Sequence, residues 1–267
     1  MITERSELTG LDLTGDRRSA FDRLGFLPVP DLGLSIGDLT EVERLLDALF
    51  DRYRDLPGEI AHDRAINDDP DVVRIPEIVR CTELEPRLLA TRAFHVVTAL
   101  ADELLGHRSQ MVFDHAIFKP VGAAGATSWH QDSAYGRDTG LAVWLPLQMT
   151  DVSDGCMRYV PFSHLGPNHE HRLDVTPQGH RIWHLDDALV DGMDPVSVPV
   201  PLGGANVHAR KTIHGAWPNT GQRVRKAWIT IFAKRPSRVQ RSIDRLRPRR
   251  RSVDRAGTTA GDRATSN

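Results

Sequence analysis

Short strand-like runs fill the chain from Gln110 onward, and they limit its fold more than any other feature. The runs are rich in β-branched and aromatic residues, and clusters of Gly, Pro, Asp and Ser separate them. They cover residues 111–119, 141–149, 157–161, 196–201, 205–210 and 224–232. Because no helical patterns alternate with these strands, the sequence predicts an antiparallel barrel or sandwich with helices packed outside it.

The first half of the chain shows helical periodicity instead. With Asp38 or Thr40 as the N-cap, a helix would place a set of apolar residues on one face, namely Val42, Leu45, Leu46, Leu49 and Tyr53. A second amphipathic stretch covers residues 88–105. Its inward side would consist of Phe94, Val97, Ala101 and Leu104.

The C-terminal segment differs in charge from the rest of the chain. Residues 234–267 contain 11 Lys or Arg and 3 Asp, and since the whole chain has a net charge of −2, residues 1–233 carry −10. The segment has few large apolar residues, so we predict a basic, disordered tail. No linker-like stretch interrupts the preceding body, and we predict a single domain over residues 1–233.

Composition limits the location and partners of the protein. The 267 residues are 40% hydrophobic, which is enough for a sizeable core. No apolar run approaches the about 20 residues of a membrane span, and the first residues lack an apolar signal sequence, so we expect a cytoplasmic protein without membrane contact. An acidic body disfavours a nucleic-acid partner. The two cysteines, Cys81 and Cys156, are too few for a disulfide framework, and we expect reduced thiols.

A metal-binding pattern occurs in Trp129-His130-Gln131-Asp132. His130 and Asp132 are two positions apart, so their side chains share one side of an extended segment. The third ligand would be His214, with His208 as the competitor six residues earlier. Two His and one carboxylate leave one face of a metal open, as in non-haem Fe(II) oxygenases, although zinc accepts the same ligands.

Arg225 is the candidate for binding a carboxylate. It lies eleven residues after His214 in a strand-like run, where its planar guanidinium could face the interior. Alternation along a strand puts Arg223 on the same face, so periodicity does not choose between the two arginines. An exterior position for Arg225 is equally compatible with the pattern.

Residues 161–196 are unusually long for a connection between strands. The segment contains five histidines: His164, His169, His171, His180 and His184. Long loops of this kind often serve as lids or binding elements, and we predict that it covers the mouth of the active site. A His-rich surface loop is the alternative.

Several motifs occur in a fixed order along the chain. They are FDRLGFLPVP (residues 21–30), FKP (118–120), WHQD (129–132), VW (143–144), GCMR (155–158), PFSH (161–164) and HGAWPNT (214–220), followed by Arg225. Together they resemble the phytanoyl-CoA dioxygenase family of Fe(II)- and 2-oxoglutarate-dependent oxygenases, over roughly residues 21–233.

The resemblance implies a double-stranded β-helix, which is a jelly-roll or cupin-like barrel. It assigns iron to His130, Asp132 and His214, and the cosubstrate 2-oxoglutarate to Arg225, Trp144 and His115. Two positions depart from the family pattern. Ala216 replaces a common Ser that would give the cosubstrate a hydroxyl contact, and Phe162 replaces the Gly of a PGSH turn. Neither change removes a metal ligand.

The resemblance also implies an activity. A member of this family converts 2-oxoglutarate and O2 to succinate and CO2 while it oxidises a substrate. We predict hydroxylation of an unactivated C–H bond of a small molecule, a natural-product intermediate, with desaturation or cyclisation left open. Related halogenases have a small residue in place of Asp132, so its presence favours oxygenation. The alternatives are a zinc hydrolase and a non-catalytic binding protein.

Overall fold

The computed structural model describes residues 16–64, 73–123, 125–136, 138–176 and 179–235. Contacts between residues divide the chain into Met1–Lys234 and Arg235–Asn267. The predicted basic tail lies outside the described residues from position 236 onward, so its disorder stays a prediction, as does the domain boundary. In the part that is described, no helix is long and apolar enough to cross a membrane.

Antiparallel pairing dominates the structure. The strands are β1 Phe26–Val29, β2 Ala61–Asp63, β3 Pro76–Val79, β4 Ser109–Lys119, β5 Thr127–His130, β6 Leu141–Pro146, β7 Met157–Tyr159, β8 Arg172–Val175, β9 Arg181–His184, β10 Val196–Val198, β11 Ala205–Ala209, β12 His214–Ala216 and β13 Arg225–Lys234. The large sheet has the order β1-β11-β6-β13-β4-β3-β2, and the small sheet has the order β10-β7-β12-β5. A separate hairpin joins β8 to β9.

The helices of the described residues are α1 Arg17–Leu24, α2 Ile36–Phe50, α3 Cys81–Leu84, α4 Arg92–Leu105 and α5 Asp187–Val190. Four of these five helices pack near the large sheet, whereas α5 lies in a separate apolar cluster with Trp129 and Val160. The buried faces of α2 and α4 share one apolar cluster with Val143 and Trp228 of the large sheet. The predicted apolar positions are buried, except that Phe94 is half-buried and Tyr53 lies beyond α2 in a 3₁₀ turn.

The first of the two predicted helices, α2, begins earlier than the sequence predicts. Its N-cap is Ser35, whereas we expected Asp38 or Thr40. Asp38 instead occupies the third helical position, where its carboxylate accepts a hydrogen bond from the backbone N–H of Ser35 at 2.8 Å, and the Ser35 hydroxyl accepts one from the N–H of Asp38 at 3.2 Å. This reciprocal capping box satisfies two N–H groups that the first turn leaves free.

A second apolar cluster fills the space between the two sheets. Phe26 of β1 and Tyr159 of β7 stack across this space with ring centroids 4.7 Å apart. Trp144, Met157 and Ile229 belong to the same cluster. The large sheet therefore has helices on one face and the small sheet on the other, as in a two-sheet sandwich, and the predicted antiparallel class is confirmed.

The turn at Pro161-Phe162-Ser163-His164 keeps its tight geometry without glycine. Phe162 has a φ of 65°, in the left-handed region that glycine adopts freely. Its N–H donates to the carbonyl of Leu24 at 3.0 Å, and the Ser163 hydroxyl donates to the carbonyl of Val160 at 2.7 Å. These bonds hold a backbone conformation that costs an L-residue on the order of 1–2 kcal/mol.

Candidate active site

Three side chains meet where the small sheet ends. β5 ends at His130, a 3₁₀ helix begins at Asp132, and β12 begins at His214, which lies opposite His130 in the pairing of β12 with β5. The Nε2 atoms of His130 and His214 lie 3.8 and 3.7 Å from Oδ1 of Asp132. One donor atom from each residue lies within 4.8 Å of the others, close enough for all three to bind one metal ion.

A glycine makes this close pairing possible. A Cβ atom on Gly215 would lie 2.7 Å from the carbonyl oxygen of Thr127 on β5. The absence of a side chain therefore lets β12 approach β5 at the position that brings His214 beside His130.

Backbone carbonyls orient both imidazoles as metal ligands. Nδ1 of His130 lies 2.9 Å from the carbonyl oxygen of Ser128, and Nδ1 of His214 lies 2.9 Å from that of Thr212. A carbonyl oxygen only accepts, so Nδ1 carries the proton in both rings. The lone pair is then on Nε2, the atom that faces Asp132.

The protonation states also suit a metal. Burial lowers the pKa of His130 to about 4, and burial together with the neighbouring His208 and His130 holds the pKa of His214 well below its ordinary value. Burial alone would raise the pKa of Asp132, but hydrogen bonding from His208 and the charge of His214 hold it far below the ordinary value. Neutral imidazoles beside an ionised carboxylate are the forms that bind cations.

His208 lies beside this triad in a different role. Its Nε2 is 3.4 Å from Oδ2 of Asp132, whereas the contacts of His130 and His214 are with Oδ1. Its Nδ1 is 3.3 Å from the hydroxyl of Tyr159 rather than against a backbone carbonyl. The geometry therefore favours His214 over His208 as the third metal ligand.

Arg225 is a buried cation at the start of β13. Its side chain is 1% exposed, and its guanidinium carbon lies 5.3 Å from the ring centre of Trp144. Nε and Nη1 have no hydrogen-bond partner in the described part of the chain. Burial lowers the pKa of Arg225 to about 10. Buried polar groups are nearly always paired, so a guanidinium in this state suits an anionic ligand.

Arg223 lies outside the strand, which corrects the expectation that both arginines share one strand face. β13 begins only at Arg225, because the side chain of Asn219 holds the preceding residues in a turn. Its amide nitrogen donates to the carbonyl of Arg223 at 2.8 Å, and its amide oxygen accepts from the N–H of Gly221 at 3.1 Å. The guanidinium of Arg223 lies 3.3 Å from the carboxylate of Asp154 and donates to the carbonyl of Met149 at 3.1 Å. Arg223 is thus paired at the surface.

His115 belongs to a network that the sequence did not indicate. Its Nδ1 is hydrogen-bonded to Oε1 of Glu77, while Oε2 of Glu77 accepts from Arg64 at 2.8 Å and lies 3.0 Å from Nε2 of His62. Burial would raise the pKa of Glu77, but Arg64 and the two imidazoles hold it well below the ordinary value. His180 stacks on His62 at 3.4 Å between ring centres.

His62, Glu77 and His180 also lie close enough together to be a second candidate metal group. Both oxygens of Glu77 already have partners, and one partner is the cation Arg64. A metal ion would have to displace that cation, so the cluster is better described as a hydrogen-bond network that holds Arg64 and His115 in place.

One cavity is lined by the three candidate metal ligands and Arg225. Its lining consists of Arg64, His115, Ile117, Thr127, His130, Asp132, Trp144, Met157, His208, His214, Ala216, Arg225 and Ile229. All six residues predicted for the site are in this set. The cavity is partly open to solvent.

The described part of the His-rich segment is hydrogen-bonded to the segment that contains His130 and Asp132. It contains the β8–β9 hairpin and α5 rather than a plain loop. The N–H of Gln131 donates to Nε2 of His171 at 3.0 Å, and the N–H of Leu185 donates to the carbonyl of Trp129 at 2.7 Å. The side chain of Gln131 is fully buried and donates to the carbonyls of Pro167 and Lys211.

Sequence reasoning missed Arg64, Glu77 and the position of His208 against Asp132. Arg64 and Glu77 lie on or beside the three- and four-residue strands β2 and β3, which are too short to show a pattern. For His208 a signal existed, because Asn206 and His208 alternate with apolar residues on β11 and both are buried.

Solved structures of other proteins share this fold. EvdO2 from Micromonospora carbonacea var. aurantiaca is 31% identical, with 84% of this chain and 93% of that chain aligned and a TM-score of 0.69. Its complex with 2-oxoglutarate aligns with a TM-score of 0.67 at 27% identity. SnoK, a non-haem α-ketoglutarate-dependent carbocyclase from nogalamycin biosynthesis, is 22% identical over 89% of this chain and 92% of that chain, with a TM-score of 0.65, and shows the shared fold.

One relative has a named activity. A probable α-ketoglutarate-dependent hypophosphite dioxygenase from Stutzerimonas stutzeri is 29% identical over 140 residues, which are 51% of this chain. The match spans about half (48%) of the length of that relative.

The fold, the site and these relatives define a non-haem Fe(II)- and 2-oxoglutarate-dependent dioxygenase with a jelly-roll fold. The chain belongs to the phytanoyl-CoA dioxygenase family, whose model matches residues 21–227. The predicted family, fold, enzyme class and cofactors are confirmed.

Proposed function

We propose that this dioxygenase hydroxylates a C–H bond of a small natural-product intermediate. In this proposal His130, Asp132 and His214 hold the iron, Arg225 binds the distal carboxylate of 2-oxoglutarate, and Trp144 and His115 line the cosubstrate site. The observation that carries the proposal is the pairing of two Nε2 lone pairs and one carboxylate with a buried, unpartnered guanidinium in one cavity.

The protein's own residues bind and orient. Iron and 2-oxoglutarate, with O2, supply the oxidation, in which the cosubstrate becomes succinate and CO2. His130, Asp132 and His214 would hold the iron, and a set of two imidazoles and one carboxylate would leave room for further ligands. Arg225 fixes the far end of the cosubstrate through two parallel hydrogen bonds. Trp144, Met157 and Ile229 exclude water around that guanidinium, which strengthens its attraction for a carboxylate.

The substrate class rests on the relatives. SnoK and the structurally similar epimerase SnoN are both enzymes from nogalamycin biosynthesis, which supports a natural-product substrate here. The hypophosphite dioxygenase supports a second candidate, a small phosphorus oxyanion, although its match covers about half of that protein. Either substrate is a small molecule. The absence of nucleic-acid and membrane partners and a cytoplasmic location stay predictions.

A metal titration and a substrate screen test the proposal. Under anaerobic conditions the purified protein should bind one Fe(II), His214→Ala should lose stoichiometric binding, and the exposed-histidine control His95→Ala should retain it. Succinate formation should then require both Fe(II) and 2-oxoglutarate and increase with a natural-product scaffold more than with hypophosphite. Turnover with Zn(II) alone would instead favour a hydrolase, and no metal binding would contradict the proposed site.

A further inference from the structure

The two carboxylate oxygens of Asp132 face different partners. Oδ1 lies 3.8 and 3.7 Å from the Nε2 atoms of His130 and His214, whereas Oδ2 lies 3.4 Å from Nε2 of His208. If the proposed iron site is correct, Oδ1 is the oxygen on the metal side. Oδ2 is then directed away from the metal, toward β11.

The protons of this cluster can be assigned from its partners. Nε2 of His208 is buried, it has no hydrogen-bond partner in the described part of the chain, and Oδ2 of Asp132 lies 3.4 Å from it. An ionised carboxylate only accepts hydrogen bonds, so we place the proton of His208 on this nitrogen, where a small shift of either side chain would form the bond. Nδ1 of His208 is then an acceptor, and the Tyr159 hydroxyl, 3.3 Å away, donates to it. Burial raises the pKa of Tyr159 well above its ordinary value, so this hydroxyl keeps its proton.

This arrangement is the reverse of that of the two ligand imidazoles. In His130 and His214 a backbone carbonyl holds the proton on Nδ1 and leaves a lone pair on Nε2. In His208 the hydroxyl donor holds the lone pair on Nδ1 and leaves a proton on Nε2. The ring centre of His214 lies 4.1 Å from that of His130 and 4.1 Å from that of His208. Only His130 and His214 would present a lone pair to a metal.

The strand β11 and the turn after it contact Asp132 at two places. His208 contacts the carboxylate, and the guanidinium of Arg210 donates to the Asp132 backbone carbonyl at 2.8 Å. Asp132 begins a short 3₁₀ helix on a loop, and loops are less rigid than strands. Contacts from β11 at both ends of the residue therefore restrict how the carboxylate can rotate.

We propose that His208 is a positioning residue that makes Asp132 a one-oxygen metal ligand, with Tyr159 fixing the tautomer of His208. Holding Oδ2 away from the metal prevents bidentate binding and preserves a coordination position for cosubstrate or O2. The proposal rests on the proposed function, because it requires a metal beside Oδ1. Partners of this kind typically change metal affinity by about 10–100-fold when removed.

Three variants separate this role from a structural one. His208→Leu removes the donor, His208→Gln keeps an N–H group on a side chain of similar reach, and Tyr159→Phe removes only the hydroxyl. We expect Mn(II) and Fe(II) affinity to fall about 10–100-fold in His208→Leu, to recover to within a few-fold of the parent in His208→Gln, and to fall by a smaller factor in Tyr159→Phe. The Co(II) absorption spectrum of His208→Leu should change, while that of His208→Gln should resemble the parent.

The outcomes are distinguishable from those that test the function itself. If the parent protein binds no metal, the proposed function fails and the role of His208 fails with it. If the parent binds one metal and His208→Leu keeps its affinity and Co(II) spectrum, only the positioning role is overturned. If His208→Leu does not fold, as judged by thermal unfolding of the metal-free protein, Tyr159→Phe decides, and unchanged metal affinity in that variant overturns the proposal.

Discussion

The surroundings of one residue, Arg225, indicate that the cavity binds an anionic ligand. Its guanidinium is nine-tenths or more buried between the sheets, and two of its nitrogens lack partners in the region the structure describes. The acidic groups nearest to the cavity are committed elsewhere, Asp132 to the histidines and Glu77 to Arg64 and His115. A carboxylate from outside the protein would therefore complete the pairing of Arg225.

Replacing Arg225 tests this assignment directly. Arg225→Ala should weaken apparent 2-oxoglutarate affinity on the order of a hundred-fold or more, since breaking a buried ion pair costs roughly 3–5 kcal/mol. Arg225→Lys should recover only part, because an ammonium cannot make two parallel hydrogen bonds. The measurement is the 2-oxoglutarate dependence of succinate formation.

Arg223→Ala is the matched control for that series. Arg223 is half exposed and paired with Asp154 at 3.3 Å, so its removal should change 2-oxoglutarate affinity by less than about ten-fold. A larger loss in Arg223→Ala than in Arg225→Ala would mean that the wrong arginine has been assigned to the cosubstrate.

Gln131 links two elements, the metal-binding loop and the His-rich segment. Its side-chain amide donates to Pro167 at 3.2 Å and Lys211 at 2.7 Å, and its oxygen accepts from the N–H of His169 at 2.9 Å. The residue lies between His130 and Asp132, so the same turn that presents two metal ligands also anchors the segment that borders them.

We expect Gln131→Leu to loosen the His-rich segment. The change leaves two carbonyls and one N–H without their partners, at about 1–3 kcal/mol for each group that stays buried. Hydrogen exchange should increase in residues 163–176 and 179–185 while α2 and α4 stay protected. His95→Ala, an exposed change distant in sequence from Gln131, should leave both regions unchanged. Equal protection in Gln131→Leu and the parent would show that other contacts hold the segment.

Hydrogen exchange also tests the predicted lid. If residues 161–196 cover the mouth of the site, a turned-over substrate should increase their protection, because closure removes backbone N–H groups from water. If no such substrate changes the exchange of residues 161–196, the segment does not close over the site and the predicted lid is wrong.

Sequence periodicity predicted the long strands but only some of the short ones, because β7 and β10, with three residues each, lie in predicted runs whereas β2 and β12 do not. All six strand-like runs are strands, and β4 and β13 have 11 and 10 residues, long enough for a clear pattern. β2 and β12 have three residues each, too few for alternation to differ from chance. The limits of β13 show the same effect, because a turn held by Asn219, rather than any local propensity, excludes Arg223.

Some residues of the candidate site could be predicted from the sequence and others could not. His130, Asp132, His214 and Arg225 belong to motifs and could be identified from order and spacing. Arg64 and Glu77 meet His115 only because β2, β3 and β4 are neighbours in the large sheet. These contacts depend on which strands are neighbours in the sheet, and no local pattern in the sequence predicts that order.

The stability of the whole molecule should depend on pH, because the fold buries several imidazoles close to one another, which lowers their pKa values. His130 has a pKa of about 4 in the folded protein, below the ordinary value of 6.5, and the pKa of His214 is lowered in the same direction. Between these values the unfolded chain binds protons that the folded chain does not. Stability of the metal-free protein therefore falls as the pH drops below about 6.5. Asp132 does not contribute in this window, because its pKa lies lower in both states.

We expect a measurable loss of stability in mild acid. Urea unfolding of the metal-free protein should show His130 alone lowering the free energy of unfolding by about 2 kcal/mol between pH 7.5 and pH 5. His130→Gln cannot take up that proton, so its pH dependence should be shallower by a similar amount, whereas His95→Ala should match the parent. Identical pH dependence in His130→Gln and the parent would contradict the lowered pKa.

The pairing of β12 with β5 has a consequence for how the protein is made. A ribosome releases the chain from its N-terminus, so β5 with His130 emerges about 80 residues before β12 with His214, and β13 with Arg225 follows. A nascent chain that ends before β12 offers an incomplete metal site and no cosubstrate arginine. If the proposed site is correct, iron and 2-oxoglutarate can bind together only after β13 has emerged, and the shorter nascent chain should be metal-free.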